Sequence, residues 1–134
     1  MTGATTGRVM GRLIGLGVDL VDVDQLRRAL VRTPTLTERL FTTTERTYAE
    51  SARDPAERYA VRFAAKEAVM KALGVGLGAI DWHDVEVVRN AESGAPSLRI
   101  TGRAAALADS AGVSGWLVSL THTSSSAQAV VIAE

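Results

Sequence analysis

The chain contains no cysteine among its 134 residues, which excludes disulfides and thiolate metal sites and permits a reducing compartment. Aromatic residues are nearly as scarce, with two Phe, two Trp and two Tyr. The core must therefore rest on Val, Leu, Ile and Ala, modest bulk for a lone monomer, which points to oligomerisation. Net charge is absent too, because 15 basic residues balance 15 acidic ones. A neutral chain lacks the simplest electrostatic case for bulk nucleic-acid or anionic-membrane binding. No apolar run approaches the ~20 residues that span a bilayer. The first dozen residues, MTGATTGRVMGR, lack the apolar stretch of a secretory signal. One cytoplasmic domain is expected, with residues 1–10 as a flexible leader and 11–134 as the folded unit.

What the chain does have is a helix of unusual composition. Asp54-Pro55 carries the cap-then-proline signature of a helix start, and the pattern runs to Leu73 before Gly74, Gly76 and Gly78 end it. Within it, RFAAKEAVMKALG (Arg62 to Gly74) is apolar on nearly every side, which predicts burial. Yet it carries four charges, and charges are seldom fully buried unless paired or bound to something. Arg62 and Lys66 are four residues apart, as are Glu67 and Lys71, so each pair shares a face. Glu67 and Lys71 could form an ordinary surface ion pair, or an acid and several bases could be held rigidly around an anionic ligand. The spacing alone leaves both open.

Around this helix the periodicity predicts a strand over Leu13 to Leu20 and a helix from an Asp22 cap to about Arg32. Short helices follow at Leu36–Leu40 and Thr44–Ser51, the second capped by Thr44. Strands are expected at Val85–Val88 and Leu98–Ile100 around the turn 92–96. A helix capped by Thr101 ends at Gly112, and a final hairpin pairs Trp116–Thr121 with Ala127–Ile132. Hairpins dominate, so the fold class is α+β with a mainly antiparallel sheet and a long buried helix. In the first strand Asp19 shares a face with Gly15 and Gly17, a floor without side chains that lets another backbone or a ligand come close. A carboxylate there, meeting Glu67 near a phosphate, would suit Mg²⁺, which keeps waters and needs only one or two protein carboxylates.

GLGVDLVDV, then RFAAKEAVMKALG about fifty residues later, then VSLTHTSSSAQAVVIAE resemble the holo-acyl-carrier-protein synthases, the small stand-alone class of 4′-phosphopantetheinyl transferases. The resemblance runs from Leu13 to Ala133, and the pattern FxAKEAxxKAxG is its most specific part. It implies the 4′-phosphopantetheinyl transferase fold and a reaction. The 4′-phosphopantetheine arm of coenzyme A would move to a serine of an apo acyl carrier protein in fatty acid or polyketide biosynthesis, releasing 3′,5′-ADP. By the same resemblance Asp19 and Glu67 would hold Mg²⁺, and Glu67 would take the serine proton, directly or through one water. Lys71 would stabilise charge on the phosphate. Arg62, Lys66, Gly74, Pro96, His122 and Thr123 would bind coenzyme A, with His122 and Thr123 near the ribose 3′-phosphate and Pro96 near adenine. The acidic carrier would dock on Arg27, Arg28 and Arg32 of the helix after Asp19. A homotrimer with active sites between protomers is also implied. One departure is Gln25, where the family commonly places a docking arginine; Arg27 or Arg28 would then have to compensate. The competing reading is a non-catalytic carrier-protein or nucleotide-binding module of the same fold, which predicts loss of an acid at position 19 or 67. Both acids are present.

Overall fold

The computed structural model describes residues 12–134; the expected leader over 1–10 lies outside the described residues. In chain order the elements are β1 (Gly15–Asp22), α1 (Val23–Arg32), α2 (Leu36–Leu40), α3 (Thr43–Glu50) and α4 (Pro55–Leu73). A single 3₁₀ turn follows at Trp82–Asp84. Then come β2 (Val85–Arg89), β3 (Pro96–Ile100), α5 (Gly102–Ala111), β4 (Trp116–His122) and β5 (Ser126–Ala133). The α+β expectation holds, with every strand pair antiparallel: a three-stranded sheet in the order β1-β5-β4 and a separate β2-β3 hairpin. Local chemistry explains most boundaries. Asp22 caps α1 by accepting from the Gln25 N–H at 2.9 Å. α3 begins one residue earlier than its sequence pattern suggests, because Thr42, not Thr44, makes a reciprocal capping box with Glu45. Gly74 ends α4 in the left-handed conformation at φ 70°.

α4 is the axle of the molecule. One end packs with Val85, Val87, Ala129 and Val131 against the sheet and hairpin. The other packs Tyr59, Ala60 and Val61 against Val23, Leu26, Leu40 and Phe41. β1 lies directly on the α4 backbone. A Cβ added at Gly15 would fall 1.9 Å from the Ala72 carbonyl oxygen, and one at Gly17 would fall 1.8 Å from that of Ala68. The floor without side chains is thus occupied by a helix backbone, and only glycine fits.

That contact also decides which face of β1 looks inward. Gly17 and Asp19 are buried, while Leu16, Val18 and Leu20 are 56%, 43% and 67% exposed. Opposite them on the same outer face stand Ile132 and Val130 of β5 and Leu117 of β4. The sheet therefore turns an apolar face outward, the reverse of the usual alternation for a one-sided antiparallel sheet. No helix among the described residues is long and apolar enough to cross a membrane.

Candidate active site

Asp19 reaches the site because β1 lies on α4. It is 9% exposed, and Lys71 donates to its Oδ1 at 2.9 Å and to the Val18 carbonyl at 3.0 Å. Lys71 pairs with Asp19, so the simple Glu67–Lys71 ion pair along one helix face is not formed. The Asp19 carboxylate raises the Lys71 pKa above its ordinary value. Glu67 sits beside Asp19, and its carboxyl is pushed up to about 7, first by burial and then by the neighbouring Asp19 charge. Asp19 Oδ2 is buried, and no protein donor reaches it unless Glu67 carries the proton. Two adjacent carboxyl groups, one with an orphaned oxygen and one reluctant to ionise, are short of positive charge. A divalent cation would supply it. Among the described residues no group of three or more His, Asp or Glu side chains forms a cage, and the pair suits an ion that keeps most of its waters.

A second feature lies nearer the start of α4. A cavity of about 520 Å³ is lined by Tyr48, Arg58, Arg62, Arg89, Pro96 and His122, among others. Arg62 is 6% exposed, its Nε has no partner, and burial pulls its pKa down. The two acids at the cavity are already engaged: Glu57 with His122 Nδ1 at 3.1 Å, and Asp54 with Arg27 at 2.5 Å. The cavity is therefore cationic and suited to an anion.

The candidates thus fall into distinct places. Asp19, Glu67 and Lys71 form one cluster, and Arg62, Pro96 and His122 line the cavity. Thr123 shapes the turn beside His122, its hydroxyl oxygen accepting from the Ser125 and Ser126 N–H groups. Gly74 stands at the Lys71 end of α4, three turns from Arg62, and does not line the cavity. Lys66 requires a correction. It is fully buried, and its ammonium donates to Glu45 at 2.8 Å, to the Trp82 carbonyl at 3.0 Å and to the Val85 carbonyl. All three donors are used inside the core, so Lys66 joins α4 to α3 and β2 and offers nothing to a ligand. Of the α1 arginines, Arg28 and Arg32 are exposed, whereas Arg27 is held by Asp24 and Asp54. A groove of about 540 Å³ is lined by residues of α1 and α2, among them Gln25 and Arg39, and by Glu67.

Sequence reasoning missed Tyr48, Glu57, Arg58 and Arg89. Arg58 was detectable, four residues before Arg62 and so on its face. Arg89 was not, because it comes from a hairpin that only the fold brings beside α4.

Residues 15–131 match the 4′-phosphopantetheinyl transferase superfamily. A holo-[acyl-carrier-protein] synthase of Frankia casuarinae is 51% identical over 122 residues, covering 91% of this chain and 98% of the relative. Among solved structures, holo-[acyl-carrier-protein] synthase from Neisseria meningitidis superposes with a TM-score of 0.83 at 27% identity, covering 92% of this chain and 99% of that one. The Bacillus anthracis enzyme in complex with CoA (3′,5′-ADP) gives a TM-score of 0.76 at 28% identity, covering 92% and 97%.

Proposed function

The chain belongs to the 4′-phosphopantetheinyl transferase superfamily, and from that premise we infer that it acts as a holo-[acyl-carrier-protein] synthase. It transfers the 4′-phosphopantetheine group of coenzyme A to a serine of an apo acyl carrier protein. The observation that carries this reading is the joining of Asp19, Glu67 and Lys71 beside a separate cationic cavity. In the mechanism we propose, the serine Oγ attacks the β-phosphorus of coenzyme A. The bond to the bridging pyrophosphate oxygen breaks, and 3′,5′-ADP leaves. Asp19 and Glu67 would hold Mg²⁺, which when bound neutralises pyrophosphate oxygens. Glu67, in its ionised form, accepts the serine proton directly or through one water. Lys71, half exposed and anchored on Asp19, stands one helical turn from Glu67 to stabilise the phosphate charge. Arg62 and His122 bind the nucleotide's 3′-phosphate region, with Pro96 beside the base. The groove that Glu67 helps to line admits the serine-bearing segment of the acidic carrier, with Arg28 and Arg32 as its docking charges.

A homotrimer accounts for the outward apolar sheet face of Leu16, Val18 and Leu20, and a cytoplasmic place of action is compatible with a chain that has no cysteine for disulfides. The non-catalytic alternative is disfavoured because both acids are present and adjacent. Incubation with coenzyme A, Mg²⁺ and an apo carrier should add one phosphopantetheine to the carrier by mass spectrometry. An unmodified carrier with released phosphopantetheine would instead indicate hydrolysis, and no turnover would favour the binding module.

A further inference from the structure

Three guanidinium groups converge on one aromatic ring at the cationic cavity. The Cζ atoms of Arg58, Arg62 and Arg89 stand 3.9, 4.6 and 5.6 Å from the centre of the Tyr48 ring. They arrive from α4 and from β2, while Tyr48 comes from α3. Among the described residues no carboxylate forms an ion pair with Arg58, Arg62 or Arg89: the two acids at the cavity, Glu57 and Asp54, serve His122 and Arg27. Like charges four apart on a helix repel, and burial makes the Arg62 charge more expensive. The Tyr48 ring offsets part of this cost through its negative face. It does so while leaving donors free. Arg58 spends Nη1 on the Tyr48 carbonyl at 2.7 Å and on Ser51 Oγ at 3.0 Å, and Arg62 spends Nη1 on the Arg58 carbonyl at 3.3 Å. An aromatic face holds a guanidinium without occupying its N–H edges, whereas a carboxylate partner would occupy them and cancel the charge.

We propose that Tyr48 is a positioning residue that gathers Arg58, Arg62 and Arg89 into a preformed grip for the terminal phosphate of the nucleotide. This rests on the reading of the cavity as the nucleotide end of the coenzyme A site. A phosphate monoester dianion offers three oxygens, and three pre-set guanidinium groups meet it without first being drawn together against their own repulsion.

The test measures 3′,5′-ADP binding by calorimetry for wild type and for Tyr48→Phe, Tyr48→Leu and Arg62→Ala, with thermal melts of each. Tyr48→Leu keeps apolar bulk and loses the ring, and should weaken binding roughly tenfold. Tyr48→Phe should restore it to within about twofold, since the π face remains. In carrier-modification assays the Leu variant should raise KM for coenzyme A with little change in kcat. Equal affinities for Phe and Leu variants of unchanged melting temperature would overturn the proposal, because packing alone would then suffice. If Arg62→Ala weakens binding and Tyr48→Leu does not, the proposal fails and the cavity reading stands. If neither changes binding, the cavity reading itself fails.

Discussion

Glu67 is the residue where burial and charge meet most directly. Burial and the neighbouring Asp19 charge push its carboxyl up to about 7, against 4.5 for an ordinary glutamate. The folded chain holds this proton more tightly than the unfolded chain, so unfolding releases it between those two values. Its contribution to stability is complete below pH 4.5 and is lost as pH rises through 7. Thermal melts of wild type minus Glu67→Gln should show this loss, and added Mg²⁺ should remove it; a pH-independent difference would refute the assignment. In turnover, Glu67→Gln and Asp19→Ala should each slow carrier modification by about 100-fold or more. Lys66 shows why residue identity was only partly legible. Its spacing from Arg62 places both on one side of α4, and nothing local announced that Glu45, 21 residues upstream, would meet its ammonium inside the core. The motif named Asp19 and Glu67, but only the fold brings their carboxyl groups together.

At the scale of elements, the Lys66–Glu45 pair fastens α4 to its neighbours. Glu45 also accepts from the Thr42 and Val87 N–H groups, at 3.0 and 2.9 Å. Lys66→Met leaves a buried carboxylate without its cation and should cost about 3–5 kcal/mol in denaturant unfolding. Adding Glu45→Gln should recover part of that loss, because the stranded charge is gone. The β1–α4 contact makes a different prediction. Gly17→Ala puts a methyl onto the Ala68 carbonyl, and should destabilise by about 3 kcal/mol as the strand lifts from the helix. The extents of α1, α2, α4, α5 and the closing hairpin were readable from caps and periodicity. The facing of β1 was not: its alternation suggested an apolar side and a polar side, and the glycines, having no side chain, determined that the polar side goes in.

The whole molecule presents a sheet with its apolar face outward and Asp19 inward. Val18 lies in the middle of that outer face, paired across the sheet with Val130. In the proposed trimer, Val18→Asp would bury an unpaired charge at each contact made by this face, costing about 3–5 kcal/mol per site. If the wild type sediments as the proposed trimer, the variant should sediment as a monomer, and a wild-type profile for the variant would argue against this face as the contact. The backbone-to-backbone seam beneath it has a consequence for inheritance. Core side chains change between relatives and neighbours repack around them, but main-chain atoms have a fixed size. With Gly15 and Gly17 against the Ala72 and Ala68 carbonyls, the gap between β1 and α4 is gauged by atoms that substitution elsewhere cannot resize. The spacing of Asp19 from Glu67 can therefore outlast extensive turnover of the hydrophobic core.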